Sequence, residues 1–342
     1  MMRSLFRGVA LALPALLAVG ATFAHDDPWL VNAPREWADL PPAAHAPPIP
    51  QDTGVLSSQI APGVYVVTDG LYQAMFVIGS DGVTVVDAPP TIGARLPAAI
   101  RAATALPVRR FVYTHSHIDH VGAADLFADV ERIASAEVTA KLARLRDPHR
   151  PVPDRSVAGT SETFDLGGLR MVLDVHGNHH EPGNLYVHLP ERKVLMVVDV
   201  VFPGWVPFTN LAMAEDVQGF IDAHRTLLGY DFDTFVGGHL DRAGSRADVE
   251  IAQRYVDDLI AAAREGQRTT DFGQVAGEIG FANRWLLVRT YMDRVADTCA
   301  AIMVPRWRER LAGADVSTPG HCWIMQEHLN INGLPPDADA RP

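Results

Sequence analysis

The sequence predicts an α/β fold in which sheets are covered by helices, followed by a helical C-terminal extension. Two observations predict it. Short β-rich runs alternate with segments of helical character in two similar halves, the pattern of sheets packed under helices. Apolar residues make up 48% of the chain, enough for a large buried core, so disorder is not the expected state.

The elements follow in chain order. Arg3 and Arg7 precede an apolar run over residues 8–23, and small residues lead to Ala24, the layout of a secretory signal peptide over residues 1–24. An uncleaved anchor is the alternative, but the run is short for spanning a bilayer. The expected location is periplasmic or secreted. No later segment is apolar for long enough to cross a membrane, so no stable insertion is expected after cleavage. Residues 25–60 hold Pro41, Pro42, Pro47, Pro48 and Pro50 and read as an extended arm over the surface.

The main domain is expected over residues 61–265. Runs 64–68, 74–78 and 83–87, split by Asp69-Gly70 and Asp81-Gly82, read as antiparallel strands joined by turns. Residues 91–104 have helical character, 108–114 form a strand ending at His115, and a helix is expected over 122–129. A strand at 132–134 and a helix at 136–146 follow. In the second half, strands are expected at 169–175, 185–189, 193–200 and 234–237, with a helix at 218–228 between the last two. Residues 245–265 read as an amphipathic helix. The extension, residues 266–342, is largely helical over 284–311 with a break at Pro305. Periodicity alone leaves open a doubly wound sheet or an αββα sandwich.

A net charge of −12 without any basic run excludes a nucleic-acid surface and leaves a small molecule as the expected partner. The two cysteines, Cys299 and Cys322, lack metal-type spacing. A disulfide and two unpaired buried thiols remain equal alternatives.

The chemistry concentrates in His115-Ser116-His117-Ile118-Asp119-His120, directly after a strand. Alternate side chains of an extended segment point the same way, so His115 and His117 can share one metal ion. As the chain turns, Asp119 and His120 point to a second position nearby. Neutral imidazole and carboxylate suit zinc and related divalent ions. A merely solvated or hydrogen-bonded His-rich loop is the alternative.

This segment resembles the His-x-His-x-Asp-His signature of the metallo-β-lactamase superfamily, and the resemblance extends in order over residues 61–260. Asp87 resembles the strand-ending aspartate that braces the signature loop. His180-Glu181-Pro182-Gly183-Asn184 resembles the motif of the third histidine, Asp199 the strand-ending aspartate between the metals, and His239 the final histidine. The resemblance implies a four-layer αββα sandwich and two divalent ions, Zn2+ by ligand chemistry. His115, His117 and His180 would hold one ion; Asp119, His120 and His239 the other; Asp199 would lie between them. The family usually has Gly before the third histidine and Thr or Ser after it. Here those places hold His179 and Glu181, so His179 and His176 compete with His180 for the register. His188, His224, His321 and His328 match no motif.

The implied activity is hydrolysis by a metal-bridging hydroxide, with Asp119 orienting the nucleophile and relaying a proton. Aspartate at position 199, where metallo-β-lactamases carry Cys or Ser, favours an ester, lactone or related acyl substrate. β-Lactamase activity, a one-iron oxygenase resembling persulfide dioxygenases, and a non-catalytic metal-binding protein are the alternatives. Tyr72, in the connection between two early strands where the family often carries a loop over the metals, and Phe202 and Trp205, in the aromatic and Pro-rich run after Asp199, are the expected substrate-facing residues; ordinary packing under the C-terminal helices is the equal alternative for that run. The apolar face of residues 284–292 would either cap the pocket or form a homodimer interface.

Overall fold

Alternating side chains along the first strands sort the chain into layers. In β2 (Val64–Thr68) and β3 (Gln73–Gly79), Val64, Val66, Met75 and Val77 enter one core, whereas Val67, Ala74 and Phe76 enter another. A sheet with two buried faces needs cover on both sides, and the chain supplies a second sheet on one and helices on the other. The computed structural model describes residues 37–333. The expected signal peptide and the start of the Pro-rich arm lie outside the described residues.

The first sheet has seven strands in sequential order: β1 (Leu56–Ala61), β2, β3, β4 (Gly82–Val86), β5 (Val108–Val112), β6 (Glu131–Ala134) and β7 (Arg155–Ser156). β1 to β4 form an antiparallel meander, and β4 to β7 are parallel. Its outer face packs Phe76, Val85 and Phe111 against Leu96 and Ile100 of α1 (Arg95–Ala103) and against Val138 and Leu142 of α3 (Ala136–Leu145). The second sheet holds β8 (Ser161–Asp165), β9 (Arg170–Val175), β10 (Leu185–Leu189), β11 (Val194–Met196), β12 (Thr234–Val236) and β13 (Gly244–Ser245), antiparallel except for the β11–β12 pair. Between the sheets Val86, Val112 and Ile133 meet Leu173, Val187 and Met196.

The outer face of the second sheet carries the largest core. Tyr186, Leu195 and Phe235 pack under α5 (Val217–Leu228), α6 (Arg246–Thr269), α8 (Arg284–Trp307) and α9 (Ala314–Ile331). This gives the expected order of helices, sheet, sheet, helices. The C-terminal helices share the core of this layer, and the Cys299–Cys322 disulfide joins α8 to α9. α7 (Phe272–Ile279), unread in the sequence, closes a small apolar cluster with Leu287.

Four expectations need correction. The helix expected over 122–129 is replaced by the short α2 (Ile118–Val121), which starts inside the His-rich segment, and a 3-10 turn, Ala124–Leu126. The expected strand 193–200 ends at Met196, because Asp199 adopts a left-handed backbone with φ 66°. α8 runs through Pro305. That proline lies in the last turn, where buried Trp307 holds the backbone by packing edge-on against Tyr255 and donating its indole N–H to Asp258. The Pro-rich arm is not uniformly extended either: Pro42–Ala44 form a 3-10 turn and β1 already begins at Leu56.

One segment departs from ordinary geometry. α4 (Thr209–Met213) is a single turn wound left-handed, with φ near 56° from Asn210 to Met213. Such backbone costs about 1–2 kcal/mol per non-glycine residue. Fully buried Leu211 anchors the turn, Phe208 O accepts the Ala212 N–H at 2.7 Å, and the same carbonyl accepts His321 Nε2 at 3.1 Å.

Candidate metal centre

The candidate residues sit where strands of both sheets end. His115 to His120 follow β5, His180 lies between β9 and β10, Asp199 follows β11 and His239 follows β12. Folding draws all seven together. His115, His117, His180 and Asp199 form one group and Asp119, His120 and His239 another, each with potential ligand atoms within 4.8 Å of one another. Asp199 joins the groups. Its Oδ2 lies 3.3 Å from His115 Nε2, 3.0 Å from His180 Nε2 and 3.3 Å from His120 Nε2, and its Oδ1 lies 2.8 Å from His239 Nε2.

The surroundings fix which ring nitrogens face inward. Thr114 Oγ1 donates to Asp87 Oδ2 at 2.7 Å, so its lone pair accepts His115 Nδ1–H at 3.0 Å, leaving His115 Nε2 as a free base toward Asp199. Asp87 Oδ1 also accepts the Thr114 N–H, so Asp87 braces the loop as expected. His239 donates Nδ1–H to Leu71 O at 3.1 Å, which frees its Nε2 in the same way. Two further contacts join ring nitrogen to ring nitrogen: His180 Nε2 to His117 Nδ1 at 3.0 Å and His120 Nε2 to His239 Nε2 at 3.1 Å. Each pair can share at most one proton.

Charge follows this crowding. Burial pushes the His115 imidazole down to about 3 despite Asp199 beside it. Burial, then His180, lowers His117. Burial opposes protonation of His120 as well, but Asp199 and Asp119 outweigh it and raise that ring to about 9. Burial would raise the Asp199 carboxyl; His120 and His180 outweigh it and hold it well below the usual carboxylate range.

This donor set fits metal ions. His115 Nε2 and Asp199 Oδ1 are buried with no hydrogen-bond partner, an arrangement that is costly unless something else satisfies them. Imidazole nitrogens and carboxylate oxygens about 3.0–3.4 Å apart are spaced like neighbouring donors around a divalent ion bound at about 2.1 Å.

The register of the third histidine is clear in the fold. His180 turns into the cluster, whereas the His179 ring packs edge-on against Tyr186 with both nitrogens buried and without a partner. The spare histidines go elsewhere. His176 contacts the Tyr230 hydroxyl, His188 contacts Asp231 O, and His321 lies between the Tyr255 hydroxyl and Phe208 O. His224 contacts Phe220 O, and His328 contacts Gln218.

Of the expected wall, Tyr72 and Phe202 reach the centre. The Tyr72 ring lies 4.7 Å from the His239 ring and 5.4 Å from that of His120, and burial, then the Asp119 carboxylate, raises its hydroxyl above the ordinary value. Phe202 lies 5.4 Å from the His239 ring. Trp205 is placed over Gly313, 3.6 Å from the position of a Cβ there, at the seam with the C-terminal helices. Leu71 and Ile118 are exposed beside the cluster.

Sequence reasoning missed the structural part of Glu181. Fully buried, it accepts the Ser116 N–H at 2.6 Å and the Ser116 hydroxyl at 2.5 Å and pairs with Lys141. Burial opposes its charge, but His115, Lys141 and Ser116 outweigh it and lower the carboxyl to about 2. The signal was present as the departure from Thr or Ser after the third histidine.

A family model described as the metallo-beta-lactamase superfamily matches residues 67–262. The chain belongs to that superfamily. Among solved structures, a metallo-beta-lactamase from Pontibacter korlensis is 21% identical with a TM-score of 0.51, covering 58% of this chain and 97% of its own. Metallo-beta-lactamase IND-7 is 19% identical with a TM-score of 0.51, covering 59% and 98%. At these identities the likeness is one of fold. A curated relative, 2,4-dinitroanisole O-demethylase subunit alpha from Nocardioides sp. (strain JS1661), is 30% identical over 220 residues, which are 62% of this chain. The chain spans 66% of that relative's length.

Proposed function

We propose that this chain is an exported, dinuclear, zinc-dependent hydrolase of ester, lactone or related acyl substrates. In this reading His115, His117 and His180 hold one ion, Asp119, His120 and His239 hold the other, and Asp199 bridges them. The observation that carries it is the placement of Asp199, with its two oxygens turned toward histidines of both groups. When bound, the ion pair supplies an activated water near neutral pH and stabilises charge on the departing oxygen.

The chain's own residues do the rest. Asp119 stands at the exposed side of the centre, 3.7 Å from His120 Nε2, where its carboxylate can take a proton from water and return it to the leaving oxygen. The rings of Tyr72 and Phe202 cover His239 and offer an apolar wall to an acyl or aryl group. The disulfide supports export, because such bonds persist in oxidising compartments.

A second reading comes from the O-demethylase relative. In an aryl methyl ether activated by electron-withdrawing groups, water-derived oxygen can bond to the ring carbon as the carbon–methoxy bond breaks. The proton goes to the methoxide and methanol leaves. No oxidant is needed, so the same centre serves.

Metal counting with oxygen-uptake measurements, followed by kinetics on lactones, aryl esters, thioesters, phosphodiesters, a chromogenic cephalosporin and an activated aryl methyl ether, tests both. Two metals per chain, ester or lactone turnover and no oxygen uptake are expected. One iron per chain with oxygen uptake refutes the hydrolase reading; methanol release in preference to ester cleavage selects the second.

A further inference from the structure

The Ser116 peptide, between His115 and His117, is held on every polar side. Its N–H and hydroxyl go to the two oxygens of Glu181, and its carbonyl accepts Arg150 Nη1 at 2.6 Å. Arg150 is itself fixed by Asp147 at 2.7 Å. Glu181 immediately follows His180 in the chain, so one carboxylate ties the loop of the first two histidines to the loop of the third. Lys141, from α3, neutralises it on the far side and also faces Glu215 at 3.7 Å. The Glu215 N–H in turn donates to His180 O at 3.0 Å, closing a ring of contacts around that histidine.

Among the described residues, no carboxylate ties the loops of the other group together in the same way. Its His120 is fully buried, but Asp119 and His239 have side chains 42% and 22% exposed, against 0% and 2% for His115 and His180, with His117 half-buried. The His239 ring meets the Leu71 carbonyl, and its backbone is bridged to Tyr72.

We infer that Glu181 and Lys141 form a positioning pair that preorganises the His115–His117–His180 position, making it the tighter and first-filled of two unequal metal positions. The inference rests on the proposed ligand assignment and adds an order of filling to it. The physical reason is that a metal position costs little to fill when its donors are already aimed. A carboxylate taking three donors on its two oxygens holds two loops more firmly than a neutral hydroxyl would. Its negative charge, behind the three imidazoles, adds attraction for a cation.

The test uses the full chain, stripped of metal and titrated with zinc against a chromophoric chelator, with cobalt(II) absorption as a second readout. Wild type is expected to fill in two steps. E181Q/K141M removes both charges and keeps the volume, so its metal-free melting temperature should stay within about 3 °C of wild type. Its tight step should weaken about 10- to 100-fold, as for other groups that orient metal ligands, with a changed cobalt spectrum and a weak step within about threefold of wild type. K141R, which keeps the charge, should restore tight binding and the wild-type spectrum. An unchanged tight step and cobalt spectrum in E181Q/K141M overturn the inference even if its melting temperature drops. So does equal weakening of both steps, which would mark a merely structural pair. Wild-type protein that takes up no zinc or cobalt overturns the site reading itself, and the inference with it.

Discussion

Breaking the Cys299–Cys322 bond should destabilise the protein by an amount the chain geometry sets. The bond closes a sequence separation of 23 residues between α8 and α9. Restricting a loop of that length lowers the entropy of the unfolded chain by about 11 cal/mol/K, worth about 3.4 kcal/mol at 25 °C. For about 300 ordered residues the unfolding entropy near the midpoint is about 0.6 kcal/mol/K, so the midpoint should fall by about 5 °C. The assay is calorimetry of metal-free C299A/C322A against wild type, with dithiothreitol on wild type as a second arm. Metal is removed from all samples because bound ions stabilise the native state and thiol reagents compete for them. Both sulfurs are buried, so alanine is preferable to serine, which would bury a hydroxyl. Finding two titratable thiols per chain in unreduced, denatured wild type would falsify the bond and with it one support for export.

Three further outcomes are expected. Asp199→Ala should lose occupancy of the second metal and lower turnover at least 100-fold; two retained metals with full activity refute the bridging role. His180→Ala should weaken metal binding about 100-fold or more, whereas His179→Ala should leave it within about threefold and cost about 2 kcal/mol of stability by opening a cavity; chelator competition and thermal melts decide, and the reverse pattern would reassign the register. His224 and His321 are buried away from the metal cluster, and burial lowers both to about 4. Between pH 6.5 and 4 the unfolded chain therefore binds more protons than the folded one. Stability is fully present above pH 6.5 and should fall toward pH 4, by up to about 3 kcal/mol per histidine. Urea melts of the metal-free protein across that range, with His224→Gln flattening the slope, check this.

The strands were legible as short β-rich runs split by Asp69-Gly70 and Asp81-Gly82 and alternating with helical segments, whereas their arrangement in four layers was implied only by the resemblance, because periodicity fits a doubly wound sheet equally well. The first half of the centre was legible because four candidate ligands lie within six consecutive residues. His180 needed the following Pro-Gly-Asn to separate it from His179, since both are histidines and only the fold shows which ring turns inward. Pro305 read as a helix breaker, yet buried Trp307 holds α8 helical through it. Packing there outweighs the local cost of proline. The left-handed turn at Asn210–Met213 has no glycine to announce it. The meeting of Glu181 with Ser116 and Lys141 joins positions 40 and 65 residues apart, a contact that no local pattern encodes.

The division of the seven candidate ligands between two sheets bears on how the molecule is made. His115 to His120 remain neighbours even in an unfolded chain, so an emerging polypeptide already carries a weak chelator. His239 arrives 119 residues after His120, and the complete centre exists only once the second sheet has docked on the first. An ion held by the first cluster before assembly would reduce the energy gained on docking to the difference between a weak site and a strong one. Zinc should raise the midpoint of unfolding by less than its native affinity alone implies, and that shortfall measures how well the unfinished chain holds its ion.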